Sequence, residues 1–192
     1  MFNCIIAGVG GQGTVLASRL IAAAAMKKGL YVRTAETIGM AQRGGSVVSH
    51  IRIGENLDEI FSPIIPTGQA GAIIAFEPAE AVRQLPFLSE SGWMVVCDTA
   101  VKPAGLAGGA YDGADMLDFL NSKTANLIMV NGAEIMENCA KALNVALLGA
   151  AAQGNIFPFD QETLKKIIGE TVPQRFIETN MTAYELGRSS VK

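Results

Sequence analysis

Two glycine-rich segments hold the residues whose types and spacing could do chemistry. The first, Gly8-Val9-Gly10-Gly11-Gln12-Gly13, carries the pattern G-x-G-x-x-G between the apolar run Phe2 to Ala7 and the helical-looking stretch Thr14 to Lys28. That is the context of a dinucleotide fingerprint, and Glu36 falls where an acid would bind a ribose. Taken alone, the pattern reads as an NAD(P) site. Its physics is narrower: glycines let a backbone approach something closely, and a helix N-terminus offers N–H groups to an anion or polar group. Tight strand-to-helix packing uses the same glycines. Gln12 between them suits a hydrogen-bonding tip better than a packing role. The second segment runs Glu36-Thr37-Ile38-Gly39-Met40-Ala41-Gln42-Arg43-Gly44-Gly45-Ser46 and combines a permissive backbone with one acid, one amide and one guanidinium. Arg43 has the planar fork that suits a bidentate carboxylate or phosphate acceptor.

Other reactive side chains read as structural. His50 is the single histidine and has no identifiable partner for acid–base work. Cys97 ends an apolar run with no second histidine to activate it, so it reads as a small buried hydrophobe. Asn131-Gly132, with Glu134 three residues on, reads as a helix start. The three cysteines, Cys4, Cys97 and Cys139, lie far apart, so neither zinc nor a four-cysteine iron–sulfur cluster is expected here. An odd count also argues against a disulfide scaffold and fits a reducing cytoplasm.

The positioning elements follow from composition and period. The chain has 192 residues, 49% hydrophobic and 17% charged, enough for one substantial core, so a single domain over 1–192 is expected. A net charge of -3 lacks the broad basic surface of a duplex nucleic-acid binder. No stretch approaches the roughly 20 apolar residues of a membrane span, and no basic leader marks a signal peptide. Phe2 to Ala7, then Thr14 to Lys28, then Leu30 to Glu36 read as strand, helix, strand, which predicts a parallel right-handed pair. Ser46 to Ile53 is a third strand. The gap Thr37 to Gly45 is too short for a parallel crossover, so this strand should run antiparallel to a neighbour. Ala72 to Phe76, Trp93 to Cys97 and Asn126 to Val130 are further buried strands. They alternate with helical stretches at Pro78 to Leu85 and Gly132 to Leu143, and the tail reads as helices over Val145 to Gln153, Gln161 to Ile168 and Gln174 to Leu186. Pro103 to Gly113 reads as a surface loop. The expected fold is a three-layer α/β/α, Rossmann-like arrangement with a mixed, mainly parallel sheet.

Read together, GVGGQG, ETIGMAQRGG and the strand SVVSHIRIG resemble the gamma-type domain of 2-oxoacid:ferredoxin oxidoreductases, and within that family the beta subunits of the indolepyruvate enzymes. Asn144-Val145-Ala146-Leu147-Leu148-Gly149-Ala150 and Pro173-Gln174-Arg175-Phe176-Ile177-Glu178-Thr179-Asn180, with Ala183 and Gly187, extend the resemblance to the later helices. It implies oxidative decarboxylation of a 2-oxoacid to an acyl-CoA, with CoA as co-substrate and electrons passing to ferredoxin. Thiamine diphosphate, Mg and the iron–sulfur clusters would sit in a large partner subunit, so this chain alone should hold no cofactor and be inactive. GMAQRGG points to arylpyruvates, and the expected assembly is a cytoplasmic hetero-oligomer of two large and two small chains. Under that reading Gly10, Gly11, Gln12 and Gly13 form a rigid backbone surface. Gln42, Arg43, Gly44 and Gly45 form a lip beside it, bordering the partner-bound thiamine diphosphate and CoA. Glu36 and Met40 are expected at the interface, and no residue is assigned a catalytic role. The alternatives are an NAD(P)-binding Rossmann oxidoreductase and a non-catalytic scaffold subunit.

Overall fold

The computed structural model describes residues 1–39, 45–102 and 111–191. It contains a six-stranded sheet in the order β2-β3-β1-β4-β5-β6. The strands are β1 Phe2–Val9, β2 Tyr31–Ile38, β3 Ser46–Gly54, β4 Ala70–Ala75, β5 Leu88–Cys97 and β6 Asn126–Val130. The helices are α1 Thr14–Lys27, α2 Pro78–Gln84, α3 Ala114–Lys123, α4 Gly132–Cys139, α5 Leu143–Gln153, α6 Gln161–Thr171 and α7 Ile177–Ser189.

β1 pairs in parallel with β4, β4 with β5, and β5 with β6. β3 runs antiparallel to both β1 and β2, as the short preceding gap predicts. The expected parallel pairing of the first two strands is corrected. β1 and β2 point the same way, but β3 turns back from β2 and inserts between them. The reason lies in burial. β3 is apolar on one face and carries Val48, His50 and Arg52 on the other, and nearly every residue in it is buried. β2 is largely exposed, with Tyr31 and Ile38 open to solvent, so it takes the edge. A strand buried on both faces belongs inside a sheet.

Alternation along the strands separates two cores. Cys4, Ile6, Ile51, Ile53, Ala72, Ile74 and Val95 face α1, α4, α5, α6 and α7, while Ile5, Ala7, Val48, Ile73, Met94 and Val96 face α2 and α3. The first layer is locally double. α5 is buried over Leu143–Ala152, as expected of a helix apolar all round, and α7, which buries only Ala183, Tyr184 and Gly187, packs outside it. α3 has no counterpart in the periodicity because only Leu120 of it is fully buried. The stretch read as one helix over Gly132 to Leu143 breaks into α4 and a single 3-10 turn at Ala140–Ala142 before α5 begins.

The α5–α7 crossing depends on missing side chains. A Cβ on Gly187 would lie 1.9 Å from the Ala146 carbonyl oxygen, and one on Gly149 would lie 2.1 Å from that of Tyr184. Both obstructions are backbone, which cannot rotate away. Gly187→Ala should therefore cost about 1–3 kcal/mol or more in urea unfolding. Gly169→Ala in α6, where a Cβ meets only Met181 Cε at 3.5 Å, should be neutral or stabilising by up to about 1 kcal/mol from helix propensity.

Candidate functional site

The helix after β1 and the helix after β4 lie on opposite faces of the sheet, so a topological switch point opens at the C-terminal ends of these neighbouring strands. In open α/β sheets such a crevice is where ligands bind. The first glycine segment forms its wall. Gly11 and Gly13 have φ of +100° and +83°, a region L side chains rarely adopt, and Gly13 caps α1 with no side-chain hydrogen bond. Gly10 and Gly11 are exposed.

Gln12 turns inward. Its Oε1 accepts from the Val9 N–H at 2.8 Å and its Nε2 donates to the Phe76 carbonyl at 3.3 Å, spanning the crevice from β1 to β4. A Cβ on Gly8 would come within 2.8 Å of Gln12 Oε1, so the glycine makes room for this amide. Gln12 thus spends its hydrogen bonds on its own chain, and the turn presents backbone outward. On the α1 side, Asn144 Nδ2 donates to the Gly13 carbonyl at 3.3 Å, which ties the start of α5 to the turn.

The second glycine segment meets the first at its described end. The Gly10 N–H donates to the Gly45 carbonyl at 2.9 Å, and the Gly39 N–H donates to the Ser46 carbonyl at 2.8 Å, closing the base of the β2–β3 connection beside the turn. Met40, Gln42, Arg43 and Gly44 lie outside the described residues. Glu36 is exposed on edge strand β2, where it pairs with Ser49 of β3. With β3 intervening, it stands two strand spacings, about 10 Å, from β1. An acid that binds a ribose sits on the strand next to β1, so the NAD(P) pattern in the sequence is not matched in space.

Three further features are not named in the sequence reading. Glu77 caps α2, its Oε1 accepting from the Glu80 N–H at 2.6 Å, and burial pushes its carboxyl pKa up. Glu80 is buried beside it and accepts from Ser46 Oγ at 2.6 Å. The acid directly before Pro78 was the available clue, since proline favours the first turn of a helix. Thirdly, a largely apolar cavity of about 470 Å³ opens beside Asn144, with Leu16, Val172, Pro173, Phe176, Thr179 and Asn180 among its lining. The two later segments of the resemblance therefore converge on one hollow next to the glycine turn.

The remaining polar candidates are structural. His50 is buried, its Nδ1 accepts from the Ile65 N–H at 3.3 Å, and its ring meets Phe87 edge to face. Burial pushes its pKa down. The Cys97 thiol is likewise pushed up by burial, and the Cys4 thiol is raised to about 12. Asn131 caps α4 by accepting from the Glu134 N–H at 3.3 Å. A Cβ on Gly132 would meet Cys97 Sγ at 2.4 Å, so this glycine lets the helix start against the end of β5.

Known proteins share this chain's sequence and shape. The family model described as pyruvate ferredoxin/flavodoxin oxidoreductase matches residues 3–190. An Archaeoglobus fulgidus protein named indolepyruvate oxidoreductase subunit IorB is 38% identical over 190 residues, which cover 96% of this chain and 92% of that one. The crystal structure of a keto/oxoacid ferredoxin oxidoreductase gamma subunit from Geobacter sulfurreducens superposes with a TM-score of 0.70 at 21% identity, covering 99% of this chain and 98% of the other. A 2-oxoglutarate:ferredoxin oxidoreductase from Magnetococcus marinus gives 0.71 at 17% identity, covering 98% of this chain but 30% of the longer polypeptide. These two structures share the fold.

Gln12→Ala removes both of its hydrogen bonds and leaves the part-buried Val9 N–H unpaired; it should cost about 1–3 kcal/mol in chemical denaturation. Gln12→Glu keeps an acceptor for Val9 but has no donor for Phe76 at neutral pH, and should fall between the two.

His50 supplies a pH test. With its folded pKa below the unfolded value of about 6.5, the folded state resists the proton that the unfolded chain accepts. Stability should be full above that pH and fall as pH drops below it, towards the folded pKa. His50→Asn, which keeps an acceptor, should flatten this slope between about pH 7.5 and about pH 5.5. An unchanged slope would remove His50 as its source.

Proposed function

This chain belongs to the pyruvate ferredoxin/flavodoxin oxidoreductase family, and from that premise we propose that it is the small subunit of an indolepyruvate-type 2-oxoacid:ferredoxin oxidoreductase. The observation that carries the reading is the Gly10 N–H to Gly45 carbonyl bond, which joins the exposed glycine turn to the described end of the second glycine segment at the switch point. That junction brings the first of the segments by which the chain resembles the family against the described end of the second. It supplies hydrogen-bonding backbone and steric definition, the work of a wall that orients a ligand or a partner chain.

In this reading a large partner subunit holds thiamine diphosphate, Mg and the iron–sulfur clusters, which supply the decarboxylation and carry electrons to ferredoxin. Among the described residues no group of His, Cys, Asp and Glu side chains converges as metal ligands, and Cys4, Cys97 and Cys139 are each free and buried. The described part of this chain therefore does not fit a cluster of its own. Its contribution is the wall: Gly10, Gly11 and Gly13 in the turn stiffened by Gln12, and Gly45 with Gln42, Arg43 and Gly44 in the lip. Together they border the partner-bound thiamine diphosphate and CoA. Arg43 pairs with a substrate carboxylate, a CoA phosphate or an acid of the partner, while Met40 and Glu36, the latter on the exposed edge strand β2, meet the partner.

The test is anaerobic co-purification from the native host followed by CoA-dependent viologen reduction with indolepyruvate, pyruvate and 2-oxoglutarate. The expected result is a large iron–sulfur, thiamine-containing partner, arylpyruvate activity in the complex, and none in this chain alone. Arg43→Ala should assemble and lose about tenfold to about hundredfold in kcat/KM. Normal turnover by that variant would end the role of Arg43. A lone chain that binds NAD(H) would overturn the assignment.

A further inference from the structure

Behind the junction of the two glycine segments lies a cluster that joins Ser46, the last residue of the second segment, to the start of α2. Glu80 is fully buried and Glu77 is 1% exposed. Ser46 Oγ donates to Glu80 Oε2 at 2.6 Å, and Arg83 pairs with the other oxygen, Oε1. The Glu80 backbone N–H in turn donates to Glu77 Oε1 at 2.6 Å. The second oxygen of Glu77, Oε2, is buried with no partner among the described residues. Among the described residues, these two buried carboxyl groups share the nearby Arg83 guanidinium, whose own side chain is 59% exposed. This is a costly arrangement for a helix that an apolar side chain could dock instead.

What the arrangement holds is specific. Ser46 is the first residue of β3 and sits in register opposite Val9, the last residue of β1. The Ser46 carbonyl accepts from the Gly39 N–H, and the preceding carbonyl, that of Gly45, accepts from the Gly10 N–H. Three constraints therefore meet at residues 45 and 46: one to the far side of the β2–β3 connection, one to the glycine turn, and one from Glu80 on α2. Backbone bonds alone fix the pairing of β1 and β3. The Ser46 hydroxyl adds an anchor to a helix on the opposite side of the switch point. A carboxylate acceptor makes that hydrogen bond short and strong.

We propose that Glu80 is a positioning residue of the candidate site: through Ser46 it holds the start of β3 against the glycine turn, with Glu77 fixing the first turn of α2 behind it. Among the described residues, Glu80 reaches the second glycine segment through Ser46. The role in orienting a co-substrate rests on the functional reading above, whereas the clamp itself does not.

Amide hydrogen exchange on the full chain tests the clamp directly. Ser46→Ala and Glu80→Leu should each speed exchange at the Gly10 amide about tenfold, the scale of one lost hydrogen bond. The double variant should add little to either single change, because both break the same link. Glu80→Gln, which keeps an acceptor oxygen, should restore near-native exchange at Gly10. Amides in α5, on the other face of the sheet, should keep native protection throughout. Unchanged Gly10 exchange, or an equal rise in α5 and Gly10, would overturn the proposal, the second outcome marking general destabilisation.

A second measurement places the clamp in the reaction. In the co-purified complex, Ser46→Ala should raise KM for CoA several-fold with kcat within about twofold, the signature of disturbed positioning. An unchanged KM alongside faster Gly10 exchange would overturn the link to co-substrate. If the wild-type complex lacks 2-oxoacid activity, the functional reading fails, and the exchange data still decide the clamp.

Discussion

The insertion of β3 between β1 and β2 is the constraint on which the site depends. Because β3 runs antiparallel to both neighbours, its first residue arrives at the same end of the sheet, the C-terminal end of β1, as the last residue of β1. The glycine turn and the base of the β2–β3 connection are thereby brought into contact, and the Gly10 to Gly45 hydrogen bond becomes possible. A parallel β1–β2 pair would have placed Glu36 beside the turn and sent the second glycine segment elsewhere. The same insertion therefore separates this chain from a dinucleotide fold with a nearly identical turn, since it moves the acid away by one strand and substitutes a backbone lip.

The turn is held from both sides of the sheet by side chains that use their polar atoms on backbone. Gln12 bridges β1 to β4, and Asn144 reaches across from α5 to the Gly13 carbonyl. A loop built from glycines loses more conformational entropy on ordering than any other, so a rigid surface of this composition requires such props. The close α5–α7 crossing serves the same end at longer range. Gly149 and Gly187 let α7 lie directly on α5, which keeps α5 buried and Asn144 at the turn. The cavity beside Asn144 opens where these helices diverge towards Phe176.

Electrostatics across the switch point is uneven. The α1 side presents a helix start with no acidic residue in its first turn, whereas the α2 side carries Glu77 and Glu80 in the interior. A positive helix end therefore faces a crevice whose opposite wall hides its acids.

Much of the fold was legible in local pattern. The short gap before Ser46 announced an antiparallel strand, Asn126 to Val130 is found with the bounds its apolar run suggested, and the Asn131 cap follows from residue type and spacing. These are near-neighbour effects of period, turn length and capping, and a linear sequence records them. Residues 103–110 and the centre of the second glycine segment lie outside what the structure describes, so the readings of Arg43 and Gln42 still rest on sequence. What the tertiary structure alone decided is which strand stands beside β1, where the Gln12 amide spends its bonds, and that Ser46 meets Glu80 from 34 residues away. Strand order and side-chain partners are set by competition among many distant surfaces for burial. No local window contains that competition, so the sequence by itself determined the elements and the family resemblance, and packing determined the site.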